Sequence, residues 1–355
     1  MKNGQFLKRL EKLLKKRNSF ILFFLIFVTL NSCKSNISND STEIYQKGLE
    51  YLNQDKFVEA INEFDKEIQR NQNNDQAYYN RGIAKSKLLN FEDAISDYNQ
   101  ALKLNSKYYL AYFAKANSLK KLNNINEALE NYSLAIQVKP DYEKAYFNRA
   151  NTYEDIKEYD LSIKDYLKAI SLNPENFEYY YNLGNTYKKN NQIEEAVISY
   201  KNAIQKNPKY APAYNNLATT TKLEKNYTDA LKYINQAIAL ETNLDYFNNR
   251  GNIYRAMDDF RNAKKDYTLI IEKNSNYSAA YYGRAVCNHE LNLPDDAIVD
   301  LTKFLEIEPD NSAVLINRGQ IFVEMKDYEK ACQDFKKANS LGDSQVLSLI
   351  SQYCK

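Results

Sequence analysis

Asparagine is the residue whose placement first invites a chemical reading. Asn80, Asn148, Asn182, Asn216, Asn249 and Asn317 fall at steps of 34 residues or twice that, with one step of 33 between Asn216 and Asn249. Asn117, Asn151, Asn185 and Asn252 follow three places later in the same frame. A side-chain amide both donates and accepts, so a row of them can hold a peptide backbone without reading its side chains. Tyr79, Phe113, Phe147 and Tyr181 stand one place before the first series and add aromatic surface, as do Tyr45 and Tyr282. Lys120, Lys188 and Lys222 would make the middle of such a surface basic. General asparagine abundance is the plainer explanation, but it does not account for one place being asparagine in six of nine repeats.

A second pattern joins opposite charges. Arg81, Arg149, Arg250, Arg284 and Arg318 are each followed 16 residues later by an aspartate: Asp97, Asp165, Asp266, Asp300 and Asp334. Where that place holds Leu183 or Leu217, the later one is Ser199 or Tyr233. Lys47 has Glu63, and Lys115 with Asn131 is the exception. The covariation predicts Arg–Asp salt bridges within each repeat, worth about 0.2–1 kcal/mol if exposed.

Catalytic chemistry has little to work with. His289 is the single histidine, and no HExxH, Gly-rich phosphate loop or Cys/His cluster occurs. The expectation is a non-enzyme with no cofactor and no metal. The formal charge of +2 conceals an asymmetry. Seven cations against Glu11 give residues 1–32 a charge of +6, so the remainder carries −4. A mildly acidic body offers no field for phosphates, which excludes nucleic acid as an expected partner.

These residues must be positioned by a repeat. The eighth place of each period is Gly48, Gly82, Ala116, Ala150, Gly184, Ala218, Gly251, Ala285 and Gly319. Each period reads as two helices. In the fifth, Tyr180, Leu183, Gly184 and Tyr187 share one face, and after Asn190-Asn191-Gln192 so do Ala196, Tyr200 and Ala203. Eight glycines, six prolines and abundant helix formers favour an all-α chain. Units of this length cannot bury a core alone and must stack as a solenoid.

The pattern resembles the tetratricopeptide repeat (TPR). A large residue stands at place four nine times, from Ile44 and Tyr78 to Tyr281 and Leu315, and a small one at place twenty, from Ala60 to Ala331. The closing proline survives as Pro140, Pro174, Pro208 and Pro309. The resemblance implies a right-handed superhelix of nine repeats over 41–345, at about 41–74, 75–108, 109–142, 143–176, 177–210, 211–243, 244–277, 278–311 and 312–345. A capping helix would follow at 346–355. It also implies that the first helices line a concave groove for a protein or peptide ligand. The lysines of the carboxylate clamp for chaperone tails are missing at place five. In the eighth repeat Asn288 replaces an aromatic, Pro294 opens the second helix and Phe304 replaces alanine, so that repeat should pack least regularly.

The front of the chain has its own logic. A basic stretch precedes Phe20–Leu30, an apolar run whose helix would rise about 16 Å, half of a bilayer core. Leu30-Asn31-Ser32-Cys33 resembles a bacterial lipobox. The resemblance implies a signal peptide at 1–32, lipidation of Cys33 and a tether over 33–40. The protein would then be exported and lipid-anchored to a bacterial membrane, expected to be the outer one, with the leaflet open. An uncleaved signal anchor is the alternative. The C-terminal ending from Ala331-Cys332 to Tyr353-Cys354 looks like that of envelope TPR proteins. Cys332 should be buried, and Cys332–Cys354 either close a disulfide or remain two reduced cysteines. The functional expectation is a membrane-anchored TPR scaffold that binds an extended polypeptide for complex assembly in the cell envelope. The alternative is a glycan- or peptidoglycan-associated factor.

Overall fold

The computed structural model describes residues 42–354, which fold as helices joined by short turns, with no strand among the described residues. Cys33, the signal peptide and the tether expected before residue 41 lie outside the described residues. Two compact units divide at Ile156 and Lys157. In the first unit, helix 42–53 (α1) precedes Phe57–Arg70 (α2), Asp75–Lys87 (α3) pairs with Phe91–Leu104 (α4), and Tyr109–Lys121 (α5) pairs with Ile125–Val138 (α6). Glu143–Asp155 (α7) ends that unit.

The second unit opens with Tyr159–Leu172 (α8). Hairpins follow as Phe177–Lys189 (α9) with Ile193–Lys206 (α10), Ala211–Leu223 (α11) with Tyr227–Leu240 (α12), and Leu244–Ala256 (α13) with Phe260–Lys273 (α14). Ser278–Glu290 (α15) pairs with Pro294–Ile307 (α16), and Ser312–Glu324 (α17) with Tyr328–Ser340 (α18). A 3-10 turn at Ser344–Val346 leads into Leu347–Tyr353 (α19), which packs on α18. Val346 is fully buried there, and Leu349, Ile350 and Tyr353 lie against the last core cluster.

Size complementarity sets how closely the two helices of a hairpin approach. A Cβ built on Gly184 would sit 2.7 Å from the ring of Tyr200, and one on Gly82 would sit 2.6 Å from Tyr98. Glycine at place eight therefore makes room for the aromatic at place 24, which is fully buried at Phe64, Tyr200 and Phe335. The eighth repeat keeps its helix lengths but packs less regularly: the buried Asn288 Oδ1 has no hydrogen-bond partner, and a cavity of about 210 Å³ lies beside Leu301. Its helices have the same lengths as those of the seventh, 13 and 14 residues. Leu301 stands where tyrosine usually does and Phe304 where alanine does, both buried, so the bulk moves one turn along the helix.

Each hairpin turns through one residue in the left-handed region. Leu89 has φ 65°, and Asp55, Asn123, Asn191, Lys225, Asp258, Asn292 and Lys326 have φ between 55° and 64°. In the second repeat Asn90 N–H reaches the Lys85 carbonyl at 3.0 Å and Leu89 N–H reaches Ser86 at 3.0 Å. Those two bonds define a Schellman closure, here made without the usual glycine. The one-residue deletion in the sixth repeat is absorbed between α12 and α13. Glu241 takes extended backbone there, and Asn243 accepts from Asp245 N–H to cap α13.

Candidate functional site

First helices of consecutive hairpins lie side by side: α3 touches α5, α5 touches α7, α9 touches α11, α11 touches α13, and α13 touches α15. The recurrent asparagines sit on this layer, half-buried. Their amides are largely occupied within the protein. Tyr200 Oη donates to Asn185 Oδ1 at 2.8 Å, Asn216 Nδ2 donates to the same oxygen at 2.9 Å, and Asn216 also reaches Tyr181 Oη at 3.1 Å. Elsewhere Tyr132 donates to Asn117 at 2.6 Å, Asn148 donates to Asn117 at 2.8 Å, and Tyr267 donates to Asn252 at 2.9 Å. Asn80 and Asn317 reach the hydroxyls of Tyr45 and Tyr282, both 35 residues back, at 2.8 and 3.0 Å. Asn249 reaches Asn215 at 2.8 Å.

The asparagines expected to grip a peptide thus have structural partners of their own. Asn117, Asn185 and Asn252 satisfy buried tyrosine hydroxyls, an obligation because an unpaired buried hydroxyl is costly. Asn80, Asn148, Asn216, Asn249 and Asn317 tie one hairpin to the preceding one. Asn182 turns back to the Glu178 carbonyl of its own helix at 2.9 Å. Asn151 and Phe147 are half-buried on α7. Tyr79, Phe113 and Tyr181 pack against Tyr108, Tyr142 and Tyr210, with ring centroids 4.8–5.1 Å apart. Burial pushes the Tyr79 phenol up to about 12.

The three lysines also separate. Lys120 Nζ is 2.8 Å from Asp155, which removes it from the expected basic surface. Lys188 bonds Thr219 Oγ1 at 3.0 Å, and burial lowers its ammonium pKa. The Lys222 pKa is lowered by burial and then by the neighbouring Arg255. Neither Lys188 nor Lys222 makes an ion pair among the described residues. Arg255 occupies the same place in the next repeat and was missed. Treating lysine and arginine as one class in the repeat register would have found it.

Arg81, Arg250, Arg284 and Arg318 hold three helices each. Arg81 Nε and Nη2 grip Asp97 at 2.9 and 2.5 Å, Arg250 grips Asp266 at 2.9 and 2.7 Å, and Arg284 and Arg318 grip Asp300 and Asp334 likewise. Nη1 reaches back to the preceding repeat: to Asp65 from Arg81, Ser133 from Arg149, Asn235 from Arg250, Thr268 from Arg284 and Thr302 from Arg318. The aspartate side chains are 3–7 % exposed, so the surface-bridge energy does not apply. Arg149 and Asp165 fall in different units.

At the C-terminal end Cys332 and Cys354 are disulfide-bonded, with Cα atoms 5.3 Å apart. Cys332 is half-buried, since α19 covers it only in part. Cys287 is a buried free thiol whose pKa burial pushes up to about 11. His289 Nε2 lies 2.6 Å from Glu324, and both line a cavity of about 210 Å³ together with Tyr282, Asn317 and Leu301. Among the described residues no metal-ligating cluster occurs, and no helix is long and apolar enough to cross a membrane.

Models described as TPR repeat or tetratricopeptide repeat match residues 76–108, 116–157, 155–191, 177–210, 248–303 and 312–341. Anaphase-promoting complex subunit 3 of Schizosaccharomyces pombe is 28% identical over 127 residues, 36% of this chain and 19% of that protein. Hsp70-Hsp90 organizing protein 1 of Glycine max is 27% identical over 125 residues, 32% of this chain and 22% of that protein. The chain thus spans about a fifth of the length of these curated relatives. A tetratricopeptide repeat protein from Parabacteroides merdae superposes with a TM-score of 0.55 at 17% identity, covering 70% of this chain and 99% of that one. The C-terminal part of a TPR protein from Cytophaga hutchinsonii gives 0.56 at 22% identity, covering 66% and 98%. These two likenesses concern the fold.

Proposed function

Because the chain belongs to the tetratricopeptide-repeat proteins, we propose that it is a scaffold whose first-helix layer binds an extended polypeptide. The observation that carries this reading is the side-by-side contact of successive first helices within each unit, which brings half-buried tyrosine and lysine side chains together. The relatives named for organizing Hsp70 with Hsp90 and as a subunit of a complex accord with it. The lipobox-like Leu30–Cys33 extends the proposal to a lipid-anchored protein of the bacterial envelope that assembles other proteins and catalyses nothing itself.

Photo-reactive residues placed at Thr219 and Gln320 on first helices, and at Lys201 and Val299 on second helices, test the binding face. Polypeptide captured from the first pair and not from the second is the expected outcome. Capture from the second pair alone would overturn the reading, and recovery of glycan would favour the envelope-glycan alternative. The anchor is tested separately: Cys33→Ser should abolish lipid labelling and leave an unprocessed precursor, whereas unchanged labelling removes the anchor.

A further inference from the structure

Resting on that reading, Lys188, Lys222 and Arg255 specify what the bound segment must carry. All three stand at place twelve, on α9, α11 and α13 of the second unit, helices in direct sequence of contact. None makes an ion pair among the described residues, although carboxylates are plentiful in the chain. Lys188 has a threonine hydroxyl for its partner; Arg255 reaches the Tyr267 hydroxyl, while its Nε is buried without a hydrogen bond. Lys222 and Arg255 repel each other, and burial costs both Lys188 and Lys222 part of their hydration. Elsewhere in the same fold buried or half-buried cations are answered: Arg250 and Arg284 by aspartates and Lys120 by Asp155. Partly desolvated charge that meets neutral hydroxyls at most, and no carboxylate, in three consecutive repeats is a cost that an incoming anion removes. The column ends at His289, the place-twelve residue of the eighth repeat, which Glu324 already occupies.

We propose that Lys188, Lys222 and Arg255 form a cationic column that binds an acidic, extended polypeptide segment through carboxylates spaced about three residues apart. The spacing follows from geometry. Helices in contact lie about 8–10 Å apart, and an extended chain advances about 3.3 Å per residue, so a segment crossing the layer gains about three residues per hairpin. Charges distributed over three helices suit three separate carboxylates better than one compact phosphate. A nucleic acid would meet the net negative charge of the remaining chain.

The experiment uses the full chain and three fluorescent ten-residue peptides of glycine and serine. One carries Glu at positions 2, 5 and 8, one carries Gln at those positions, and one carries Glu at 4, 5 and 6. Fluorescence anisotropy at low ionic strength should show the spaced Glu peptide binding at least about tenfold more tightly than the Gln peptide, and more tightly than the clustered one. Combining Lys188→Gln, Lys222→Gln and Arg255→Gln should erase that preference with helicity unchanged. Equal binding of the three peptides, or a preference that survives in the triple variant, overturns the proposal. Lys222→Glu provides a gain that misfolding cannot mimic: it should prefer a peptide with Lys at position 5, and failure to switch counts against the column. If the triple variant still captures protein from Thr219, the broader groove reading stands while the column falls. If the unaltered protein captures no polypeptide from any first-helix position, the broader reading is the one that fails.

Discussion

Asn216 donates its side-chain amide to Asn185 Oδ1, 31 residues back, at 2.9 Å, and the same oxygen accepts the hydroxyl proton of Tyr200. One acceptor therefore serves both the inside of its own hairpin and the joint to the next.

Removing that acceptor should be felt in both places. Asn185→Ala takes from the Tyr200 hydroxyl and the Asn216 amide the acceptor they share and is expected to cost about 1–3 kcal/mol in urea unfolding. Adding Tyr200→Phe removes the hydroxyl that donates to Asn185, so the double variant should lose less than the two single losses combined. Strict additivity would show that the hydroxyl and the amide act independently.

The Arg–Asp pairs predict an asymmetry between breaking and replacing. Asp266→Ala strands the Arg250 guanidinium beside a buried site and should destabilise by about 3–5 kcal/mol. The fifth repeat already dispenses with the pair, using Leu183 and Ser199 at the same two places. Arg250→Leu together with Asp266→Ser should accordingly cost less than Asp266→Ala alone. Equal or greater loss in the double variant contradicts this account.

Leu89 offers a stabilising change. Its φ of 65° is disfavoured for a residue with a Cβ, by about 1–2 kcal/mol. Leu89→Gly relieves that strain but gives the unfolded chain more freedom, so a net gain of about 0.5–1 kcal/mol is expected in the melting or urea midpoint. A loss would mean that the Leu89 side chain, although exposed, contributes packing.

Alkaline unfolding should be steep. Burial, the leading cause in each case, raises the phenols of Tyr79 and Tyr267 to about 12 and that of Tyr132 further still. A phenol whose folded pKa exceeds its unfolded value of 10.0 stabilises the fold below pH 10, and that contribution is lost as pH rises through the folded pKa. Between pH 10 and about 12 the unfolded chain releases protons first, so stability falls. Phenolate absorbance at 295 nm should rise together with the loss of helical circular dichroism. Titration of these phenols near pH 10 with helicity intact would refute the assignment.

The hairpin pairing was legible because its signal is complementary and lies within one period: arginine at place seven goes with aspartate at place 23. The contact that each arginine makes with the preceding repeat was hidden. Its acceptors are Asp65, Ser133, Asn235, Thr268 and Thr302, which share a function but no residue type. The left-handed turn was obscured in the same way. Asn123 and Asn191 are ordinary occupants of that conformation, whereas Leu89, Lys225 and Lys326 carry no mark of it. The asparagine series is ambiguous in the sequence because an amide suits a peptide and a neighbouring hairpin equally well. Spacings of 31 and 35 residues, across rather than within a period, were the discriminating signal.

The Schellman turn closed by non-glycine residues has a consequence for how the chain begins to fold. Lysine, leucine or aspartate at that corner leaves fewer alternative shapes to the unfolded loop than glycine would. Each corner thus trades comfort in the finished hairpin for a narrower search beforehand, and neighbouring hairpins can form locally before they dock.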